Sequence, residues 1–210
     1  MLFNALPSLY SYLSENYYGW LMSHISHSRI TDFMGHSLCV NSKASGLYTN
    51  ILKRMLAKIE AMLSYHNKVL LIRFDLNQPD YTDDSKAVTV LFKLLSESIK
   101  REYELKRVAY FWVREQEKAK RQHYHCFILV DGNKVQTSHK VIEKIRWYWT
   151  VQHDGGIHFP QPKCFHMLYR NKPESFKDPI YHISYLAKGR GKGYKPKQAK
   201  NYGSSRLKPK

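Results

Sequence analysis

Two groups of residues in this 210-residue chain have types and spacings suited to phosphate chemistry. The first lies in YFWVREQEKAKRQHYHCFILVD, Tyr110 to Asp131. Two apolar, β-rich segments, Val108 to Val113 and Tyr124 to Val130, flank a charged connection, which is the pattern of an antiparallel hairpin. Side chains alternate along a strand, so His123 and His125 leave the same face, about 7 Å apart. Two imidazoles on one face can hold one metal ion. Glu115 has the parity of Phe111 and Val113 at the end of the first strand, so pairing of the hairpin would bring its carboxylate beside them. Glu117 already lies in the connection. Two histidines and a carboxylate form a mixed N/O site suited to Mg2+ or Mn2+ acting on a phosphate. Ligation needs neutral imidazole, so function is expected to fall as pH drops through about 6. His158 and His166 are further candidate ligands, although each also reads as a loop or strand-surface histidine.

The second group is DPIYHISYLAKG, Asp178 to Gly189. Asp178 suits an N-cap, Pro179 the first helical position and Gly189 the stop, so the spacing predicts a short helix. Tyr181, Tyr185 and Lys188 then form one stripe, while Ile180, Ile183 and Ala187 form another that would pack on the sheet. A phenol is a poor nucleophile at neutral pH, and a lysine one turn away together with a metal would favour the phenolate.

These motifs resemble those of the HUH endonucleases, the rolling-circle replication initiators of small phages and plasmids. Within them the chain is most similar to inovirus-type initiator-like proteins with a YagK/YfjJ-type domain. The His-hydrophobic-His motif is matched by His123, Tyr124 and His125, and the Tyr-x-x-x-Tyr-x-x-Lys spacing by Tyr181, Tyr185 and Lys188. VLLIRFDL, Val69 to Leu76, corresponds loosely to a third motif, an upstream strand. Some two-tyrosine members carry Lys immediately before the second Tyr, where this chain has Ser184.

The resemblance implies a metal-dependent nicking endonuclease and strand transferase acting on single-stranded DNA at a replication origin. Tyr185 would attack, leaving a 5′-phosphotyrosyl link and a free 3′-OH that primes a polymerase, and Tyr181 would make a second cut. Tyr185 ranks first because single-tyrosine relatives keep the matching position. Host helicase and polymerase are implied partners, since the chain has no GxxxxGK[ST] phosphate loop, and the cytoplasm of a bacterial host is the implied setting. A transposase or relaxase of the same superfamily would use the same parts. A non-enzymatic module that binds single strands by stacking on an open sheet is the rival from another class.

The elements that must position these residues follow from the pattern along the chain. Residues 1–66 read as an N-terminal, partly helical extension, irregular to Val40. From Gly46, Leu47, Ile51, Met55, Ile59, Met62 and Leu63 keep helical spacing, which predicts a helix packed on the core. Lys53, Arg54 and Lys58 are basic positions among them, and Lys53 and Arg54 are candidate phosphate contacts. Residues 67–190 read as the catalytic core: a strand at Val69 to Leu76, a helix from Ser85 to about Glu104, the hairpin, a helix from about Thr137 or Ser138, a strand at Cys164 to Arg170 and the tyrosine helix. That order, β-α-β-β-α-β with one helix added, predicts an α+β fold of the ferredoxin-like, RRM-like split βαβ kind. Both crossover helices would cover one sheet face and leave the other open for the histidines. Residues 191–210 read as a basic flexible tail, and Arg190 just before it, with Lys192 and Lys195 within it, would lie along a phosphate backbone.

Composition narrows the partner. The chain holds 34 Lys and Arg against 17 Asp and Glu, a net charge of +17, which points to a polyanion such as nucleic acid. Apolar runs fall short of a spanning helix and no signal-peptide pattern opens the sequence, so no membrane is expected. Cys39, Cys126 and Cys164 show no CxxC spacing, which fits a reducing compartment and no zinc module.

Overall fold

The structure is a computed structural model that describes residues 24–116, 121–192 and 199–210. The chain runs β1 (Ile25–Ser26), β2 (Ile30–Phe33), β3 (His36–Cys39), β4 (Leu47–Tyr48), α1 (Thr49–Tyr65), β5 (Lys68–Asn77), α2 (Lys86–Glu102), β6 (Ala109–Glu115), β7 (His123–Asp131), α3 (His139–Arg146), β8 (Gly156–His158), β9 (Phe165–Tyr169), α4 (Lys177–Ser184) and β10 (Tyr202–Ser204). A π-helical turn, Trp147–Val151, extends α3, and 3-10 turns at Pro173–Phe176 and Tyr185–Ala187 flank α4.

The main sheet is built on β5, an almost wholly buried strand. β7 pairs with it from Val69 opposite Asp131 to Asn77 opposite His123. Its other edge is shared, β9 taking Lys68 to Ile72 and β8 taking Asp75 to Asn77. β6 pairs with β7, and β10 with β6, so the order is β10-β6-β7-β5 with β8 and β9 side by side on the last edge. All these pairings are antiparallel, and the protein is of the α+β class.

Alternation sends Leu70, Ile72, Phe74, Leu76, Tyr124, Cys126, Ile128 and Val130 to one face, where Val88, Leu91, Phe92, Leu95 and Ile99 of α2 and Val141 and Ile145 of α3 close over them. The π turn carries Trp149 into the same layer, its indole N–H donating to the Asn77 carbonyl at 3.1 Å. The opposite face, expected to be open, is largely covered. Val69, Leu71, Phe111, Val113, Phe127 and Leu129 make most of it hydrocarbon, and the stripe Ile51, Leu52, Met55, Leu56, Ile59, Met62 and Leu63 of α1 buries it together with α4. Covering that much apolar area is worth far more than leaving it wet. The segment read as an extension therefore supplies a third layer.

Two other segments differ from expectation. The described part of residues 1–66 has α1 as its α-helix, preceded by strands. β2 and β3 form a hairpin around Met34 and Gly35, at φ 53° and 77°, the two left-handed positions of a type I′ turn. Methionine is a rare choice at such a φ, which hides the turn from composition. At the other end, β10 docks on the β6 edge, where the Tyr202 ring stacks on Phe111 at 5.5 Å and Arg54 lies 5.6 Å over it. The residues read as a flexible tail thus finish the sheet. β8 lies in a stretch read as loop and is a further strand not foreseen. The three cysteines are free thiols, and no helix among the described residues is long and apolar enough to cross a membrane.

Replacing Tyr202 with alanine should lower unfolding stability by about 1–3 kcal/mol through loss of a stacked, half-buried ring. Urea denaturation checks this, and an unchanged midpoint would mean that β10 does not dock.

Candidate metal and phosphate site

The strand alternation that builds the covered face changes chemistry at one end of the sheet. There the same parity yields Arg73 and Asp75 on β5, Glu115 on β6, and His123 and His125 on β7. Glu115 lies directly opposite His123, and His125 lies between Val113 and Asp75. The Glu115 Oε2 is 3.1 Å from His125 Nε2 and 3.5 Å from His123 Nε2. The two imidazoles stand nearly perpendicular, centroids 5.0 Å apart. One donor atom from each of the three residues falls within 4.8 Å of the others, so the set fits a small divalent cation with mixed N/O ligation. His123 is 32% exposed and Glu115 only 7%, so the cluster is open to solvent on the His123 side.

Behind this group is a shell that fixes it. Asp75 Oδ1 lies 2.7 Å from His125 Nδ1, leaving Nε2 to face Glu115, the carboxylate–histidine arrangement that orients ligands at metal sites. The second Glu115 oxygen accepts from the buried Lys192 ammonium, which also donates to the Lys188 carbonyl. Burial alone would raise the Glu115 carboxyl, but hydrogen bonds from His123 and His125 and the charges of His125 and Lys192 outweigh it and hold it well below the usual carboxylate range. Asp75 is lowered in the same way, by His125 and Arg73 against burial. Burial lowers His125, yet its bonds to Asp75 and Glu115 win, and its pKa is raised.

Tyr185 completes the arrangement. Its ring is 5.3 Å from His125, edge to face, and cations surround it: Arg73 and Lys188 each 5.0 Å from the centroid, and Arg190, whose Nη2 donates to the hydroxyl at 3.2 Å. Ile180, Ile183, Leu186 and Ala187 anchor the helix and its 3-10 extension in the core. Ser184 is fully buried, its hydroxyl donating to the Tyr181 carbonyl and accepting from the Asn41 N–H. The Gly189 N–H donates to the Gly46 carbonyl, and a Cβ at Gly189 would stand 2.4 Å from the Ser45 carbonyl oxygen, so only glycine lets the chain end pass there. The helix begins at Lys177 with Phe176 at the cap and no side-chain cap bond. Asp178, expected as the cap, sits instead in the first turn, where its charge complements the helix dipole.

The remaining candidates are scattered. Tyr181 is 41% exposed and faces a neighbouring cleft. His158 is exposed on β8 opposite Asp75. His166 is buried against His182, at 3.1 Å, and away from the cluster. Lys53 and Arg54 are exposed on α1, with Arg54 engaged by Tyr202. Lys192, expected on a DNA-facing tail, is instead buried and neutralises Glu115, because an interior carboxylate needs a cation. Lys195 lies outside the described residues. Arg73 and Asp75 were not singled out from sequence, although a charged pair two apart inside VLLIRFDL is the signal that would have found them.

Loading a divalent cation on His125 must expel a proton, because its two carboxylate partners favour the protonated ring. The raised pKa sets the sign: affinity is full above it and lost as pH falls through it. Apparent Mn2+ affinity should drop about tenfold per pH unit below that pKa, at a higher pH than the ordinary imidazole value of about 6.5 implies. Calorimetric titration in buffers of different ionisation enthalpy should show about one proton released per ion, and a pH-independent affinity would refute this.

The family model described as the YagK/YfjJ C-terminal domain matches residues 30–205. Neither a curated protein nor a solved structure gave a significant match. The matched span contains every strand of the main sheet, the Glu115, His123 and His125 group, and Tyr185, and on that match the chain belongs to the YagK/YfjJ C-terminal domain family.

Proposed function

We propose that this protein is an HUH-type endonuclease that nicks and rejoins single-stranded DNA through a tyrosine. The observation that carries the reading is the approach of one phenol, Tyr185, to a convergent His, His, carboxylate group, 5.3 Å from the His125 ring. The strand order β9-β5-β7-β6, with α2 and α3 on one face, agrees with a ferredoxin-like split βαβ core. The net charge of +17 suits a polyanionic substrate.

Glu115, His123 and His125 would hold Mg2+ or Mn2+, which when bound supplies positive charge for the non-bridging oxygens of the scissile phosphate. The chain's own groups do the rest. Tyr185 Oη forms a bond to phosphorus as the P–O3′ bond breaks, leaving a 5′-phosphotyrosyl ester and a 3′-hydroxyl. Arg190, Lys188 and Arg73 place positive charge around the phenol and the phosphate it meets. Asp75 keeps His125 in one orientation, and Lys192 helps the two histidines keep Glu115 ionised. Because one phosphoester replaces another, rejoining needs no outside energy source. Replication initiation in a bacterial cytoplasm, with host helicase and polymerase, is the setting we propose. The rival, strand binding by stacking on an open sheet, is disfavoured because α1 and α4 cover the face it would use.

Incubating the protein with labelled single-stranded DNA and Mn2+, followed by boiling in SDS, should give a retarded covalent species. Tyr185→Phe should abolish it, a loss of at least about a thousandfold for a removed nucleophile. Tyr181→Phe should retain it. No covalent species in the wild type across varied single-stranded sequences would defeat the proposal.

A further inference from the structure

A cleft of about 400 Å³ adjoins Tyr185 and shares that ring and Arg73 with the site above, while other side chains line the rest of it. Arg73 forms part of the wall. The residue is 6% exposed, its guanidinium donates to the His182 carbonyl at 3.3 Å and lies 3.7 Å from the Asp75 carboxylate, and its Nε has no protein hydrogen-bond partner. Lys163, exposed at the rim, adds a second cation. Tyr181 offers an aromatic face that is 41% exposed. Asp178 contributes a carboxylate, and His166 and His182 are hydrogen-bonded to each other at 3.1 Å. An N···N bond between two imidazoles requires that at least one be neutral. Burial lowers both to about 4, helped by Lys163 at His166 and by Arg73 at His182. At neutral pH the pair is therefore an uncharged polar surface.

Cations, an exposed aromatic ring and hydrogen-bonding side chains within one cleft of ligand size match the phosphate, the base face and the base edge of a nucleotide. We infer that this cleft is a mononucleotide subsite for single-stranded DNA. It seats the nucleotide next to the phosphodiester presented to Tyr185, with phosphate toward Arg73 and Lys163 and base between Tyr181 and the edge formed by Asp178 and His182. This rests on the nicking reading for its substrate. The Asp178 carboxylate accepts hydrogen bonds only, and thymine's one donor, N3–H, is flanked by two carbonyl oxygens that repel a carboxylate, so the subsite favours a base with an exocyclic amino group.

The test follows histidine ring signals by NMR in the full chain, with EDTA present, during titration with dCMP, dAMP, dGMP, dTMP and inorganic phosphate. His166 and His182 should shift with the amino-bearing nucleotides and several-fold more weakly with dTMP, while His139, exposed on α3, stays fixed. Lys163→Ala should weaken binding about three- to tenfold, and Asp178→Asn should abolish the preference for dCMP over dTMP. A short single-stranded oligonucleotide should give the same shifts at lower concentration than dCMP. Absent shifts, shifts that phosphate alone reproduces, shifts that ignore the base, or tighter binding of free dCMP than of the oligonucleotide would each overturn the subsite. Shifts without any covalent adduct in the wild type would defeat the nicking reading alone, and an adduct without shifts would defeat the subsite alone.

Discussion

The Glu115 carboxylate is buried, and a buried anion survives only beside compensating charge. Two imidazoles face one of its oxygens and the Lys192 ammonium takes the other. A step further in, Asp75 lies between His125 and Arg73, 3.7 Å from the guanidinium. With His125 neutral, two carboxylates balance two cations. With His125 protonated, the cluster carries one excess positive charge. Stranding any member would leave an unpaired interior charge, typically worth about 3–5 kcal/mol. The network is thus a structural requirement at the sheet end, and on the proposed reading it is also the place where one proton would be exchanged for a bound cation.

Packing decides where that network can stand. The apolar half of the same sheet face must be covered, and α1 and α4 cover it. The polar end is left to the turn after α4 and to the segment through Lys192, which folds back so that the Gly191 carbonyl accepts from the Gln116 N–H. Tyr185 reaches the histidines because the hydrocarbon side of its own helix is sunk in the core and Ser184 ties that helix to Asn41. Catalytic-type groups and core groups are contributed by the same elements, one turn or two residues apart.

Much of this was legible in the residues. Two-residue alternation placed His123, His125 and Glu115 together, and helical spacing put Tyr185 and Lys188 on a stripe opposite Ile180 and Ile183. Local periodicity carries that information directly. What it does not carry is pairing between distant segments. Lys192 reads as one more lysine in a basic stretch, and nothing local says that its partner is Glu115. β10 is three residues, too short for a pattern, and is defined only by the β6 edge it meets. Arg73 and Asp75 were hidden because a strand interrupted by two charges still reads as apolar. The covering of the second face was implicit in Phe111, Phe127 and Leu129, which no soluble sheet leaves wet.

β7 alternates one set of residues toward α2 and α3 and the other toward α1, and the imidazoles belong to the second set with Phe127 and Leu129. Slipping this strand by a single residue would drive both rings into the hydrocarbon beneath α2 and eject Tyr124 and Cys126. Misaligned chains are thereby rejected by solvation alone, before any chemistry is attempted. Foldability acts as a proofreader for the placement of the two imidazoles.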